Sequence, residues 1–362
     1  MYLTNLSVSN FRNIVQANLS LSPGINLLVG ENGAGKTALL EAVHLLARGR
    51  SFRTPQAKQL IRHNEKELLV RGEVSVGAMR HSLARSKSST AGSEARIDGQ
   101  QASRQSRYAE LLPLQTLLPG IADLVLDGPS IRREFVDWGL FHVEQHYLAT
   151  AQRFRKALTQ RTAWLKDSLY EDFSVDPWVT TLAAAGSEIS VWRHRFVDAL
   201  NSQFQQTLKR LQADFACDLR YEGSGFSQEE ALADLAASFD RDKRHAVTHV
   251  GPHRADVDIR VDGVSARTVV SRGQAKLIAS AIALSYSAEL AARRGTQPIL
   301  LLDDFGAELD DTHRERFFGE LRTLGCQVIA TTTNQPEQLV GWSTLDTTRV
   351  FHVEHGSVTQ NS

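Results

Sequence analysis

The chain has 362 residues, enough for one large domain or two lobes, and this length excludes a long fibrous or multi-module protein. Its 41 Lys and Arg balance 41 Asp and Glu, and 42% of residues are apolar, so the composition is that of a folded chain, neither disordered nor polycationic. Any nucleic-acid site must therefore come from local clusters of charge.

The N-terminus and the cysteines bear on location. Residues 1–13 lack a basic segment followed by an apolar core, and uninterrupted apolar runs such as Ile299–Leu302 are far shorter than the roughly 20 residues that span a bilayer. We therefore expect a cytoplasmic protein that does not cross a membrane. Cys217 and Cys326 are far apart without metal-type spacing, which favours two buried thiols over a disulfide framework or a zinc site.

The N-terminal third alternates between strand and helix patterns. Ile25–Val29 predicts a buried strand that ends at Gly30, and a helical pattern from Lys36 stops at Gly49. Two further strands are predicted at Leu68–Val76 and Arg80–Ala84. The polar stretch 86–93 that follows them predicts an exposed hairpin tip.

The middle of the chain differs in composition from the N-terminal third. Ser130–Phe239 has few turn signals and is rich in Ala, Leu, Gln and Arg, which predicts a mostly helical lobe. We interpret its spaced aromatics as core side chains rather than a base-stacking platform. The elements predicted after Gly251 are a strand at Asp256–Val261, a helix at Gln274–Ala292, a strand at Ile299–Leu302, a helix at Asp311–Leu324 and a strand at Val328–Ala330. This order predicts a discontinuous α/β lobe with a helical insertion.

Residues 30–37 match the pattern Gly-x-x-x-x-Gly-Lys-Ser/Thr in full, between a predicted strand and a predicted helix. These residues are Gly30, Glu31, Asn32, Gly33, Ala34, Gly35, Lys36 and Thr37. In this pattern the glycines let backbone N–H groups approach phosphates, Lys36 reaches the β and γ phosphates, and Thr37 offers its hydroxyl to Mg²⁺. The segment therefore has the pattern of a P-loop and predicts a nucleoside triphosphate site.

An acidic pair follows the predicted strand at Ile299–Leu302. Asp303 is the candidate that holds the metal, and Asp304 falls where it can orient or deprotonate the attacking water, which makes it a catalytic candidate together with Lys36. Related ATPases often have a glutamate at the second position. Because aspartate is one methylene shorter, we predict slow hydrolysis.

A third motif opens the long helix near residue 274. A serine at a helix start is ordinarily an N-cap, but beside the other two motifs this segment resembles the signature of ABC-type ATPases. In that class a serine and a helix N-terminus of one subunit bind the γ-phosphate held by the P-loop of the other. The signature residues are Ser271, Arg272, Gly273 and Gln274. Asp310 matches the loop that runs along the dimer interface in that class.

Together these motifs resemble the bacterial RecF family, recombination and gap-repair ATPases related to SMC heads. The segments that carry the resemblance are 10–13, 30–37, 49–53, 128–138, 251–254, 271–274 and 302–310. The resemblance implies an α/β fold, an ABC/SMC-like P-loop ATPase head with a mostly helical second lobe inserted. It assigns 1–110 and 265–362 to the ATPase lobe, and 111–264 to the helical lobe that leads to the signature motif.

The resemblance also implies a function. Members bind ATP with Mg²⁺, dimerise on ATP, and bind single-stranded DNA and gapped or linear double-stranded DNA. They act with RecR and RecO to load the recombinase, and they support replication and the SOS response. Their DNA-stimulated ATPase is weak. Here Thr331–Thr333 replaces a histidine that senses the γ-phosphate in many related ATPases, which predicts a slow switch rather than a motor. Arg12 is a phosphate or adenine candidate by resemblance, with a solvated arginine as the alternative.

Basic residues cluster between 104 and 166, and residues 153–166 include no acid. The candidate DNA contacts in this stretch are Arg153, Arg155, Lys156 and Arg161. A solvated helix face is the alternative for each of them. Phosphate contacts of this kind predict salt-dependent binding that is indifferent to base sequence.

Three other function classes stay open at this point. The ATPase subunit of an ABC transporter shares the motif order, but the insertion between the P-loop and the signature is too long for it, and Asp304 is the wrong acid. A full SMC-type protein needs a long heptad repeat between the two halves, which this sequence lacks. A scaffold that does not use ATP is the third.

Overall fold

The computed structural model describes the chain except residues 91, 103–105, 168–171, 305–308, 334–347 and 361–362. The chain divides into two compact units. Unit 1 comprises Met1–Ala122, Thr207–Gln212 and Arg272–Ser362, and unit 2 comprises Asp123–Gln206 and Ala213–Ser271. The division falls at 122/123 and 271/272, whereas the sequence assigned lobe boundaries at 110/111 and 264/265.

The described elements run in chain order as follows. The strands are β1 (Tyr2–Phe11), β2 (Ile14–Ser20), β3 (Ile25–Val29), β4 (Glu67–Val76), β5 (Met79–Ser88), β6 (Gly92–Ile97), β7 (Gln100–Gln101), β8 (Leu114–Leu117), β9 (Cys217–Glu222), β10 (Asp256–Val261), β11 (Val264–Ser265), β12 (Ile299–Leu302), β13 (Val328–Thr332), β14 (Arg349–Glu354) and β15 (Ser357–Gln360). The helices are α1 (Lys36–Arg48), α2 (Ser106–Leu111), α3 (Asp123–Leu126), α4 (Pro129–Val143), α5 (Tyr147–Asp167), α6 (Val179–Leu211), α7 (Gln228–His245), α8 (Ala266–Val269), α9 (Arg272–Arg294) and α10 (Asp311–Leu324).

Unit 1 contains a six-stranded antiparallel sheet in the order β2-β1-β4-β5-β6-β7. Along β4 buried and exposed residues alternate, with Leu68, Val70 and Val74 inward, as expected of a sheet with one covered face. The β5–β6 hairpin was predicted with a tip at 86–93. Pairing continues to Ser88 opposite Gly92, so the actual tip is shorter than predicted.

The second sheet of unit 1 has the order β15-β14-β3-β13-β12-β8, in which all neighbours except β14–β15 are parallel. Every residue of β3, β12 and β13 is buried, as in parallel sheets covered on both faces. The bounds of β3 and β12 are those predicted from their continuous apolar runs. Because these strands are parallel, their carboxyl ends meet at one edge, where ligands bind in open α/β sheets.

Helix α1 forms the centre of unit 1, packing on β1, β4 and β5 of the first sheet and on β8 and β13 of the second. It buries 11 of its 13 residues. It ends at Gly49, whose φ of 68° is left-handed and whose N–H donates to Leu45 O at 2.8 Å, as the predicted stop requires.

Helix α9 packs on β8 and α10. Within the described part of the chain it is the one helix long and apolar enough to cross a membrane. The window that meets this criterion is 78% buried in the protein, which is also the pattern of a core helix.

Unit 2 is mostly helical, as predicted for Ser130–Phe239, with a small antiparallel sheet in the order β11-β10-β9. Strand β9 interrupts the predicted helical region. It forms because Cys217 and Leu219 face inward while all six residues pair with β10 along the predicted strand Asp256–Val261. Such long-range pairing is invisible to local periodicity.

Candidate functional site

The loop between β3 and α1 has the backbone that its glycines permit. Gly33 and Gly35 have φ values of 80° and 119°, a region that side chains disfavour. A Cβ on Gly30 would lie 2.2 Å from Val353 O of β14, so only glycine fits there. Gly35 caps α1 without a side-chain hydrogen bond. The first N–H groups of the helix are therefore not covered by a capping side chain and can bind an anion.

Two distant segments support this loop from outside the motif. Asn13 Nδ2, in the β1–β2 turn, donates to Gly33 O at 3.0 Å. The N–H of Gly356, in the β14–β15 turn, donates to Ala34 O at 2.9 Å. Sequence reasoning predicted neither contact, although Asn13 lies in one of the segments that carry the family resemblance, because both contacts depend on strand order and not on a local pattern.

Lys36 lies across the loop. Its side chain is mostly buried, and Nζ donates to Gly30 O at 2.6 Å and to Glu31 O at 2.8 Å. Burial lowers the pKa of Lys36, and attraction by Asp304 and then Asp303 opposes this shift. The ammonium therefore lies within the field of both predicted carboxylates, in surroundings that screen it less than bulk water does.

Asp303 joins the P-loop helix to the end of β12. Thr37 Oγ1 donates to Asp303 Oδ1 at 2.9 Å and lies 3.2 Å from Oδ2. The Asp303 N–H donates to Leu117 O of β8 at 3.0 Å, and the residue is 7% exposed. The two residues predicted to serve the metal are thus in direct contact.

Asp304 turns the chain out of the sheet. Its φ is 48°, a left-handed value that is uncommon for a residue other than glycine, and its N–H donates to Thr331 Oγ1 at 2.8 Å. The residue is solvent-exposed and directly follows buried Asp303. This placement agrees with the role predicted for it, which stays a prediction.

The donor set at this edge fits Mg²⁺. A threonine hydroxyl and an aspartate carboxylate supply the hard oxygen ligands that this ion prefers. Among the described residues no group of three or more His, Cys, Asp or Glu could hold a metal ion. A cation here would take its other ligands from phosphates and water, as Mg²⁺ does in nucleotide sites.

Arg12 is occupied by a structural contact. Its Nε and Nη2 donate to the two oxygens of Glu41, at 2.9 and 2.8 Å, and Glu41 is fully buried in α1. Ser51 Oγ donates to the same carboxylate, and Arg12 Nη1 donates to Gln59 O at 2.9 Å. Arg12 therefore fastens the segment after α1 to the P-loop helix, a contact that neither sequence interpretation of this residue named.

The signature residues stand at the start of α9. The helix begins at Arg272, directly after Ser271, the last residue of unit 2. Ser271, Arg272 and Gly273 are exposed, and Gln274 is half-buried. Exposure of this segment is what contact with a second chain would need.

Asp310 is the N-cap of α10. Its Oδ1 accepts from His313 N at 3.0 Å, and its Oδ2 lies 2.5 Å from Nδ1 of the same histidine. These bonds, the backbone one foremost, lower the pKa of Asp310. Leu309, which precedes Asp310, is described, whereas Glu308 of the predicted interface loop lies outside the described residues.

The candidate DNA contacts on α5 differ in accessibility. Arg155 and Lys156 are exposed, and Arg153 pairs with Glu188 at 3.3 Å on the surface. The prediction for Arg161 is wrong. Its side chain is 0% exposed and is paired with buried acids, so it cannot reach a phosphate backbone in this fold.

The whole chain is similar to known proteins. The profile of the RecF/RecN/SMC N terminal domain family matches residues 2–358. The DNA replication and repair protein RecF of Pseudomonas syringae pv. syringae (strain B728a) is 39% identical over 361 residues, with 99% of this chain and 98% of the relative covered. RecF of Pseudomonas aeruginosa (strain LESB58) is 38% identical over 363 residues, with 100% and 98% covered.

Solved structures agree with these sequence matches. The recombination mediator protein RecF with ATP, from the RecFOR pathway, aligns with a TM-score of 0.86 at 26% identity, over 100% of this chain and 98% of that one. An Smc head bound to the C-winged helix domain of ScpA aligns with a TM-score of 0.62 at 16% identity, over 100% and 98%. The second likeness concerns the fold alone. Together they confirm the predicted α/β fold of an ABC/SMC-like ATPase head.

Proposed function

The chain belongs to the RecF family, and from this membership we propose that it is an ATP-dependent DNA-binding protein of recombinational gap repair and DNA replication. The observation that carries the proposal is the edge of the parallel sheet. There a complete P-loop, the Thr37–Asp303 contact and exposed Asp304 lie together. A scaffold that does not use ATP would have no need of this arrangement.

In this proposal the residues of unit 1 bind and cleave ATP. The backbone N–H groups of 30–37 and the start of α1 hold the phosphates, and Lys36 leaves its loop carbonyls to pair with the β and γ phosphates. Thr37 and Asp303 would hold Mg²⁺, which when bound neutralises charge that develops on the phosphates. Asp304 orients or deprotonates the attacking water.

ATP would also join two chains. The P-loop of one protomer holds the γ-phosphate, and Ser271 with the N-terminus of α9 from the second protomer completes the site. Arg272, Gly273 and Gln274 shape this second surface, and Asp310 lies along the interface. The exposure of Ser271 to Gly273 supports this proposal.

Hydrolysis would be slow and would open the dimer. Asp304 has a shorter side chain than the glutamate of many related ATPases, and Thr331 cannot supply the charged or imidazole contact of a histidine. A weak, DNA-stimulated ATPase acts as a timed switch that holds DNA while ATP is intact.

The partners proposed for this switch follow from the family. It would bind single-stranded DNA and gapped or linear double-stranded DNA through phosphate contacts, with Arg155 and Lys156 among them. It would act in the cytoplasm with RecR and RecO to load the recombinase and support the SOS response. The RecFOR pathway of the ATP-bound structural relative supports this assignment.

Two variants test the nucleotide site. We expect Lys36→Ala to weaken ATP binding by about 100-fold or more, because it removes a desolvated cation from the phosphates. Asp304→Asn should bind ATP normally and hydrolyse it at least about tenfold more slowly. Fluorescent ATP titration and phosphate release measure the two effects.

A matched control separates the site from general charge effects. Lys66→Ala removes the same group from an exposed position before β4 and should leave both quantities unchanged. Normal ATP affinity in Lys36→Ala would contradict the proposed site, and normal hydrolysis in Asp304→Asn would contradict the role of that carboxylate.

A further inference from the structure

Strand β13 lies between the P-loop strand β3 and the acidic strand β12 in the second sheet. Thr331, near its carboxyl end, is 2% exposed. Thr331 pairs with Leu28 of β3 on one side, and the preceding residue, Ala330, pairs with Leu302 of β12 on the other. A side chain at this position can therefore link the two halves of the nucleotide site.

The hydroxyl of Thr331 makes two hydrogen bonds to consecutive residues. Oγ1 donates to Asp303 Oδ1 at 2.8 Å and accepts from the N–H of Asp304 at 2.8 Å. A hydroxyl has one proton and two lone pairs, so it can do both at once. Because each partner is fixed, the proton of this hydroxyl has one orientation.

These two bonds fix different properties of the acidic pair. The bond to Asp303 sets the carboxylate plane, since the same Oδ1 also accepts from Thr37 at 2.9 Å. The bond from Asp304 supports a backbone turn with a φ of 48°, a left-handed value that is uncommon for a residue other than glycine. One oxygen thus contacts both the carboxylate predicted to hold the metal and the backbone turn at exposed Asp304.

We propose that Thr331 is a positioning residue for ATP hydrolysis: its hydroxyl orients Asp303 through the side chain and Asp304 through the backbone. The inference rests on the proposed ATPase function and adds to it a residue outside the three motifs. Thr331 need not touch the nucleotide. It acts through the two aspartates, as residues behind metal ligands commonly do.

Valine is the informative replacement because it has the shape of threonine without the hydroxyl and suits a strand. In Thr331→Val the Asp304 N–H loses its acceptor and Asp303 loses a donor. We expect kcat to fall about tenfold or more, and ATP affinity measured without Mg²⁺ to stay within about twofold, because the P-loop is untouched. Thr331→Ser keeps the hydroxyl and should restore kcat to within about threefold of the wild type.

Two further readouts do not depend on turnover. Hydrogen exchange of the Asp304 N–H in the nucleotide-free protein should be faster in Thr331→Val than in the wild type and in Thr331→Ser. The gain in ATP affinity on adding Mg²⁺ should shrink in Thr331→Val, because Asp303 is no longer held. A packing role alone would change neither quantity.

The outcomes separate this inference from the proposed function. Wild-type kcat and wild-type exchange in Thr331→Val would overturn the inference, as would an equal loss of kcat in the serine and valine variants. If the wild type itself hydrolysed no ATP, the proposed function would fail, and the inference that depends on it would fail too. ATP hydrolysis by the wild type alone distinguishes this case, because it does not involve any Thr331 variant.

Discussion

His44 shows how a single buried residue in the P-loop helix makes stability depend on pH. It is mostly buried in α1, its Nδ1 lies 2.8 Å from Arg50 O, and its ring meets Phe52 edge-on with centroids 5.2 Å apart. Burial foremost, and then repulsion by Arg48, lower the pKa of His44 to about 3. The folded chain therefore keeps this imidazole neutral, with its proton on the nitrogen that faces Arg50 O.

The sign of the pH effect follows from this shift. The unfolded chain takes up a proton near pH 6.5, whereas the folded chain does so only near pH 3, so the contribution of His44 is complete above pH 6.5 and declines as pH falls. From pH 7 to pH 5 we expect a loss of about 2 kcal/mol from this residue alone. In His44→Gln this part of the pH dependence should vanish.

Urea unfolding at several pH values measures the effect. The free energy of unfolding of the wild type should fall more steeply than that of His44→Gln between pH 7 and pH 5. Parallel profiles for the two proteins would show that His44 does not have the proposed shift.

At this scale the sequence predicts which residues come together where a motif names them. Lys36, Thr37 and Asp303 meet in the structure because the P-loop pattern and an acid after a buried strand define their places locally. Asn13 and Thr331 were not assigned a structural role, because their contacts depend on which strands become neighbours. Strand order is set by packing across the chain, which one sequence does not encode in a short pattern.

At the scale of elements, Arg161 of α5 joins the segment before α6, helix α7 and the loop after α7 in unit 2. Its Nε donates to Asp176, just before α6, at 2.7 Å, and its Nη1 donates to Asp242 of α7 at 2.7 Å and to Thr248 at 2.8 Å. The arginine and both acids are 0% exposed. Asp176 also accepts from Trp178 N at 3.0 Å, which helps to start α6.

Removing this arginine should destabilise unit 2. Arg161→Ala leaves two buried carboxylates without their cation, and losses of this kind cost about 3–5 kcal/mol. Arg155→Ala, on an exposed face of the same helix, should change stability by no more than about 0.5 kcal/mol. Chemical denaturation of both variants measures the difference. Equal stability of Arg161→Ala and the wild type would contradict the burial of the cluster.

The same cluster explains why the prediction that Arg161 contacts DNA is wrong. A basic residue in an acid-free helix is typical of a solvated or phosphate-binding face. The acids that pair with it lie 15 and 81 positions away. By contrast, the bounds of α10, Asp311–Leu324, were predicted from its amphipathic period, which is a local signal.

At the scale of the whole molecule, the zero net charge constrains DNA binding. The 41 basic residues are offset by 41 acids, and in the predicted DNA region Arg161 is buried and Arg153 is paired. Few accessible basic side chains remain on α5 to bind phosphates, so a single protomer should bind DNA weakly. Joining two protomers through ATP brings two such faces together and raises the positive field on the DNA.

Sedimentation velocity with and without ATP and Mg²⁺, on gapped, single-stranded and duplex DNA, tests the proposed switch most directly. The account predicts one protomer without ATP, two protomers with ATP, and retention of gapped DNA only by the pair, weakening steeply as salt rises. Asp304→Asn should prolong the pair, and Ser271→Arg should bind ATP but remain single. A chain that binds ATP yet sediments as one protomer, or holds DNA equally without ATP, would contradict the account.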